Sequence, residues 1–185
     1  KFVGSESWPL VGDNGEFAKI KEEKGLPNSD DIDYEIHIMA ESPNDEVADF
    51  ALAGASRIII HIETGSATVE NIIEEWGHTV EIGIAINLNT PISSVSPFLE
   101  KVKVFQLMGI ERVGFQGQGL DEKIYERIRQ LRVLAPKHII SIDGGVNLDN
   151  AKKLIENGAN RLVVGSAIWG SKSPIDTLKV FKNLK

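Results

Sequence analysis

Cysteine is absent from all 185 residues, and that absence removes disulfides, thiolate metal ligands and cysteine nucleophiles together. It suits a cytoplasmic protein. Long hydrophobic runs are also missing. The longest apolar stretches are strand-sized, so no membrane-spanning segment is expected, and no signal peptide is visible. Positive charge is in deficit: the net charge is −7 and Lys and Arg form no cluster, which argues against a nucleic-acid partner. The first residue is Lys1 rather than Met, so an N-terminus that is processed, trimmed or cut from something longer is expected. What remains is ample apolar material. With 42% hydrophobic residues, a single domain with a proper core is expected over residues 1–185.

Residues 1–33 are irregular and rich in Gly, Ser, Asp and Pro, with one helical candidate at Glu16–Lys24 that Gly25 and Pro27 end. From Tyr34 onward strands and helices alternate. The strand candidates are Tyr34–Met39, Arg57–Ile62, Val80–Ile86, Val104–Met108, His138–Ile142 and Arg161–Val164. Helices are predicted near Asp45–Ala53, Thr68–Trp76, Val95–Val102, Leu120–Leu134, Leu148–Asn157 and Pro174–Asn183. Most strand runs are almost continuously apolar, as parallel strands buried on both faces should be. Six βα units over residues 34–185 mean an α/β fold. A weak repeat supports this: Gly54-Ala55-Ser56-Arg57 and Gly158-Ala159-Asn160-Arg161 each pair a helix-ending glycine with an Arg that opens a strand. A third copy at Gly109-Ile110-Glu111-Arg112 would move the fourth strand to Arg112–Phe115. Periodicity leaves that choice open.

Chemistry concentrates at strand ends. Asp143 closes an apolar run and is followed by Gly144 and Gly145, while Val164 is followed by Gly165 and Ser166. Glycine after a buried strand lets backbone N–H groups approach an anion, and an adjoining helix N-terminus adds partial positive charge. Ser166 is expected to cap the segment Ala167-Ile168-Trp169. A third glycine-rich loop runs from Gly114 to Gly119. Asp143 reads equally well as a site carboxylate or as a turn or N-cap acid. His37 and His61 sit within apolar strands, where a histidine is commonly a hydrogen-bonded core residue, yet two beside Asp143 would suit a barrel mouth. His78 and His138 precede their strands and belong to the opposite rim. Trp8 and Trp76 read as packing, and Glu74 and Glu75 as a solvated helix face.

Taken together these segments resemble the ribulose-phosphate 3-epimerase family. His37-Ile38-Met39 with Glu41-Ser42-Pro43 is similar to that family's third-strand HLM and NP motif, and Ile60-His61-Ile62-Glu63 to its VHVE. Asn87-Leu88-Asn89-Thr90-Pro91 resembles NPxTP, and Gly114-Phe115-Gln116-Gly117-Gln118 resembles GFGGQ. Asp143-Gly144-Gly145 and Gly165-Ser166-Ala167-Ile168 match the family's DGG and GSAIF segments. The resemblance runs in order from Tyr34 to the end and favours Val104–Met108 as the fourth strand here.

The resemblance implies a (β/α)8 TIM barrel, here without its first two strands. It also implies proton transfer at the carbon beside a ketone of a phosphorylated ketopentose, within the pentose phosphate pathway. By carry-over, His37 and Asp143 would ligate a divalent metal (Zn2+, Fe2+, Mn2+ or Co2+), and Asp143 would also be one of two acid/base groups. His37, Met39, Gly114, Phe115, Gln116, Gly117, Gly144, Gly145, Gly165 and Ser166 would contact the substrate and its phosphate. His61 would line the site without ligating. A homo-oligomer is expected. Two departures stand out. The family's H-x-D strand, which supplies the other His and the other Asp, has no counterpart, so these residues are expected to be a fragment of a chain of about 220 residues. Glu111-Arg112-Val113 stands where the family has Asn-Pro, and Gln116 replaces a glycine. The alternatives are a sugar-phosphate-binding barrel without catalysis, or another ketose-phosphate enzyme of the same barrel group. The latter calls for a strand-borne Asp-x-Lys-x-x-Asp that the sequence lacks.

Overall fold

The computed structural model describes residues 25–114 and 118–184. Runs such as Ile58-Ile59-Ile60 and Ile82 to Ile86 are stiff at χ1 and apolar toward both faces, so they form strands that need cover above and below. The strands are β1 (Glu35–Ile38), β2 (Arg57–His61), β3 (Glu81–Ile86), β4 (Val104–Met108), β5 (Ile139–Asp143) and β6 (Arg161–Val163). Between and after them lie α1 (Asn44–Leu52), α2 (Ser66–Trp76), α3 (Lys123–Leu134), α4 (Leu148–Glu156), α5 (Ser166–Trp169) and α6 (Pro174–Lys182). Every pairing is parallel and the spatial order is the sequence order, β1 through β6. No helix among the described residues is long and apolar enough to cross a membrane.

The two faces of the sheet differ. On the helix side, Ile58, Ile60, Ile84, Ile86, Leu107, Ile140 and Ile142 bury against Val47, Phe50, Val69, Ile72, Ile128, Leu131 and Leu154. On the concave side a small apolar cluster of Ile59, Ala85 and Val104, with Ile139 against it, separates two groups of polar side chains. Along β2 this face reads Arg57, Ile59, His61, the period of two that a strand dictates. At the amino end of the strands, Arg57 donates to Glu35 and to Glu81, each at 2.8 Å. Arg161 on β6 also donates to Glu35 on β1, so the sheet curls until its first and last strands meet through their side chains.

Local chemistry explains the element ends. Gly54 and Gly158 follow α1 and α4 with φ of 92° and 114°, the left-handed stop that the repeat predicts. The proposed third copy is no repeat, because Met108 ends a strand rather than a helix, and β4 is Val104–Met108. The helix predicted at Val95–Val102 is instead a 3-10 segment, Ile92–Phe98; Pro97 within it has no N–H to offer an α-helical ladder. The third helix starts at Lys123, not Leu120, where the Asp121 carboxylate accepts from Lys123 N–H at 2.8 Å. At α4 the N-cap is Asn147, whose side chain accepts from the N–H groups of Asp149 and Asn150 while Asn150 answers in a capping box. Trp76 packs on the core and Glu74 and Glu75 are exposed, as expected. Trp8 and the helix expected at Glu16–Lys24 lie outside the described residues.

Candidate active site

The carboxyl ends of β1, β2, β4 and β5 bring four polar side chains together on the concave face. His37 stands one residue before the end of β1, His61 and Asp143 are the last residues of β2 and β5, and Gln106 is the middle of β4. His37 Nδ1 lies 3.1 Å from Asp143 Oδ2 and 3.1 Å from Gln106 Nε2. On its other side, His37 Nε2 lies 2.9 Å from His61 Nε2, and the two rings stack with centroids 5.0 Å apart and planes 15° apart. His61 Nδ1 is 3.0 Å from Glu63 Oε2. The other Glu63 oxygen accepts from the Thr90 hydroxyl and from the Asn87 N–H at 3.0 Å.

The direction of this chain can be read from its far end. Burial alone would push the Glu63 carboxyl up, but the bonds from His61, Thr90 and Asn87 outweigh it and hold it below the ordinary carboxylate value. Glu63 is therefore an acceptor, and His61 Nδ1–H donates to it. His61 is wholly buried, and burial pushes its imidazole below the ordinary value despite the pull of Glu63. Neutral His61 with its proton on Nδ1 has only a lone pair on Nε2, so His37 Nε2–H must donate to it. With Nε2 so engaged, His37 Nδ1 faces Gln106 and Asp143. Gln106 Nε2–H groups reach both: His37 Nδ1 at 3.1 Å and Asp143 Oδ2 at 3.3 Å. Gln106 Oε1 accepts from the buried Ser141 hydroxyl at 3.4 Å.

An imidazole nitrogen and a carboxylate oxygen 3.1 Å apart have the spacing of neighbouring ligands on one divalent ion. Donor atoms about 2.1 Å from such a metal and at right angles stand about 3 Å from each other. The pair thus fits a metal. Among the described residues, however, no group of three or more His, Cys, Asp and Glu side chains is arranged to hold one. Both nitrogens of His61 are engaged, Nε2 by His37 and Nδ1 by Glu63.

The glycine loops lie beside this cluster. Gly144 and Gly145 follow Asp143 directly with φ of 97° and 73°. A side chain on Gly145 would come within 2.6 Å of the Leu120 backbone nitrogen, so this loop is packed against the one after β4. The same contact continues at Gly109, whose N–H donates to the Asp143 carbonyl at 2.7 Å. Gly165 is different: it is exposed, and no atom lies within 4 Å of where a side chain would begin. Gly114 has φ of 91°; Phe115, Gln116 and Gly117 lie outside the described residues. Met39 is half-buried one residue beyond β1. Ser166 does not cap: the N-cap is Gly165, and Ser166, already the first helical residue, makes no side-chain capping bond. Nor does Asp143 cap, since Asn147 fills that role.

These residues coincide with the run of motifs in the sequence, and the ribulose-phosphate 3 epimerase family model matches residues 19–169. The chain belongs to this family. The chloroplastic ribulose-5-phosphate-3-epimerase of Arabidopsis thaliana is 35% identical over 163 residues, covering 84% of this chain and 57% of the relative. The ribulose-phosphate 3-epimerase of Bacillus subtilis is 32% identical over 147 residues, covering 76% of this chain and 66% of the relative. The chain therefore spans less than two thirds of the length of these epimerases. Among solved structures, KGPDC from Streptococcus mutans superimposes with a TM-score of 0.65 at 15% identity over 83% of this chain and 72% of that one. A tryptophan synthase chain from Pyrococcus furiosus gives 0.60 at 17% identity, covering 91% of this chain and 70% of that chain. At such identities the likeness shows the fold: six consecutive βα units of a (β/α)8 barrel.

Three polar residues of this cluster were not singled out as site candidates in the sequence. Gln106 and Ser141 are single polar residues inside apolar strand runs, and their spacing of two from Met108 and Asp143 was the available signal. Glu63 was visible only within the VHVE-like motif. Arg127 on α3 also contributes from outside, donating to the Asn87 and Thr90 carbonyls at 2.9 and 2.8 Å and so holding the loop that holds Glu63.

Proposed function

We propose that the protein is a ketose-phosphate 3-epimerase that interconverts D-ribulose 5-phosphate and D-xylulose 5-phosphate by proton transfer at C3, as a step of the pentose phosphate pathway. The observation that carries the reading is Asp143 at the end of β5, 3.1 Å from His37 and followed at once by Gly144 and Gly145. In this reading the Asp143 carboxylate takes the C3 proton. The C–H electron pair becomes the C2–C3 double bond, and the C2 carbonyl electrons move onto its oxygen as an enediolate. Return of a proton to the opposite face of C3 requires a second acid. His37 and Asp143 would hold a divalent metal (Zn2+, Fe2+, Mn2+ or Co2+), whose charge would favour the oxyanion at C2.

His37 and Met39 line the sugar in this proposal. The backbone of Gly114, Phe115, Gln116, Gly117, Gly144, Gly145, Gly165 and Ser166 receives the phosphate. Support for the last pair is the unfilled space at Gly165, whose lack of a side chain neither its φ of −106° nor its own packing requires. The same reading takes residues 1–185 as one barrel domain of a cytoplasmic homo-oligomer. The test is to incubate the full-length protein with D-ribulose 5-phosphate in D2O. Deuterium at C3 together with D-xylulose 5-phosphate is the expected result. Saturable substrate binding with no exchange at C3 would replace this reading with a sugar-phosphate-binding barrel.

A further inference from the structure

The environment of Gln106 carries a conclusion that rests on the metal-assisted reading above and goes beyond it. Gln106 is only 1% exposed, and a buried carboxamide is retained at a cost unless its groups are satisfied. Its outer atom forms a triangle with His37 Nδ1 and Asp143 Oδ2 whose sides are 3.1, 3.1 and 3.3 Å. Three donors about 2.1 Å from a divalent ion, mutually at right angles, form a triangle with sides of about 3 Å. The separations are those of hydrogen bonds from Nε2, and they also bring the three side chains as close together as ligands of one cation would stand.

We propose that Gln106 is a third ligand to the divalent cation, presenting Oε1 to it beside His37 Nδ1 and Asp143 Oδ2. Nε2 occupies that corner in the structure, 3.1 Å from His37 Nδ1 and donating to Asp143 Oδ2 at 3.3 Å. A half-turn about the terminal side-chain torsion exchanges the two ends of the amide, a soft twofold rotation. Ser141 makes both ends acceptable: its hydroxyl donates to Oε1 in one orientation and accepts from Nε2–H in the other. His61, stacked on His37 and 2.9 Å from its Nε2, keeps the His37 ring turned with Nδ1 toward Gln106 and Asp143 in both. A carboxamide oxygen is a hard, neutral donor, which suits Mn2+ or Co2+ better than a softer thiolate set would. It also leaves one net negative charge from Asp143 in the triad.

The probe is Co2+ added to the full chain, followed by calorimetry and by its visible absorption, which reports ligand number and geometry independently of turnover. Gln106→Leu is expected to weaken Co2+ binding roughly tenfold or more and to change the absorption band. Gln106→Glu, which keeps the oxygen and adds charge, is expected to tighten it. Wild-type binding with affinity and spectrum unchanged in both variants overturns the role of Gln106 while leaving the metal-assisted epimerase intact. If Gln106→Leu does not fold, an unchanged affinity in Gln106→Glu is sufficient to overturn it. A wild-type protein that binds no Co2+ overturns this inference and the metal-assisted reading together.

Discussion

Two groups of polar side chains share the concave face of one sheet, and they handle burial in opposite ways. At the amino end, Glu35, Arg57, Glu81 and Arg161 set opposite charges against one another. Burial alone would lower the Arg57 guanidinium, but its two carboxylates raise it above its ordinary value. At the carboxyl end, His37, His61, Gln106 and Asp143 are joined instead by hydrogen bonds through two imidazoles and an amide, groups that can both donate and accept. The apolar cluster of Ile59, Ala85 and Val104 insulates one from the other. The first group is built to stay as it is. The second is built to accept something.

The contrast is broken most severely by Asp143→Asn. The amide cannot take a proton from carbon, and turnover of D-ribulose 5-phosphate should fall by about 10²–10⁴-fold. Phosphate affinity and the urea midpoint should stay near wild type, and retained activity would remove Asp143 from proton transfer. Next comes Glu35→Gln, which strips the charge shared by Arg57 and Arg161. Leaving two partly buried guanidinium groups short of a partner should cost roughly 3 kcal/mol in urea unfolding. Co2+ affinity should not move, and a change there would mean that the two groups communicate through the apolar layer.

Glu63→Gln sharpens the contrast through pH. The folded-state value of Glu63 lies below its ordinary value of 4.5, so its contribution to stability is present above pH 4.5 and lost as pH falls through the folded value. The variant should therefore be less stable near neutrality by about 1–2 kcal/mol and show a flatter acid limb. Unfolding midpoints across an acid series would measure this, and parallel limbs in variant and wild type would contradict it. The smallest effect on stability is expected at Gly165→Ala, where space is open, with weakened phosphate binding as its signature. Gly145→Ala, at φ of 73° and against the Leu120 backbone, should instead lose roughly 1–3 kcal/mol.

The charged group and the mouth cluster were unequally legible in the sequence. Strand positions were clear because runs such as Val104–Met108 and Ile58-Ile59-Ile60 are apolar toward both faces, and β4 has the bounds expected of it. The 3-10 segment at Ile92–Phe98 was misread because the hydrophobic spacing looked helical while Pro97 controlled the backbone. His37 and Asp143 stood out through neighbouring motifs. Gln106 and Ser141 did not, because a polar residue in a strand shows its role only when register puts it opposite a partner, and Glu63, in the 3-10 turn after β2, meets Asn87 and Thr90 only through the fold. Gln106 pairs in register with Ser141, and neither residue alone announces that. Arg57 and Arg161 were noticed as repeat markers, yet their common partner Glu35 lies 126 residues before Arg161 and no local pattern links them.

That separation has a kinetic meaning. Closing a loop of 126 residues costs roughly 4 kcal/mol of chain entropy, more than one ion pair returns, so the Glu35–Arg161 contact has to wait until intervening strands have shortened the path. It should form after the folding transition state. Changes at Glu35 or Arg161 should then accelerate unfolding and leave the folding rate nearly untouched, making this pair a clasp that sets how long the folded sheet persists.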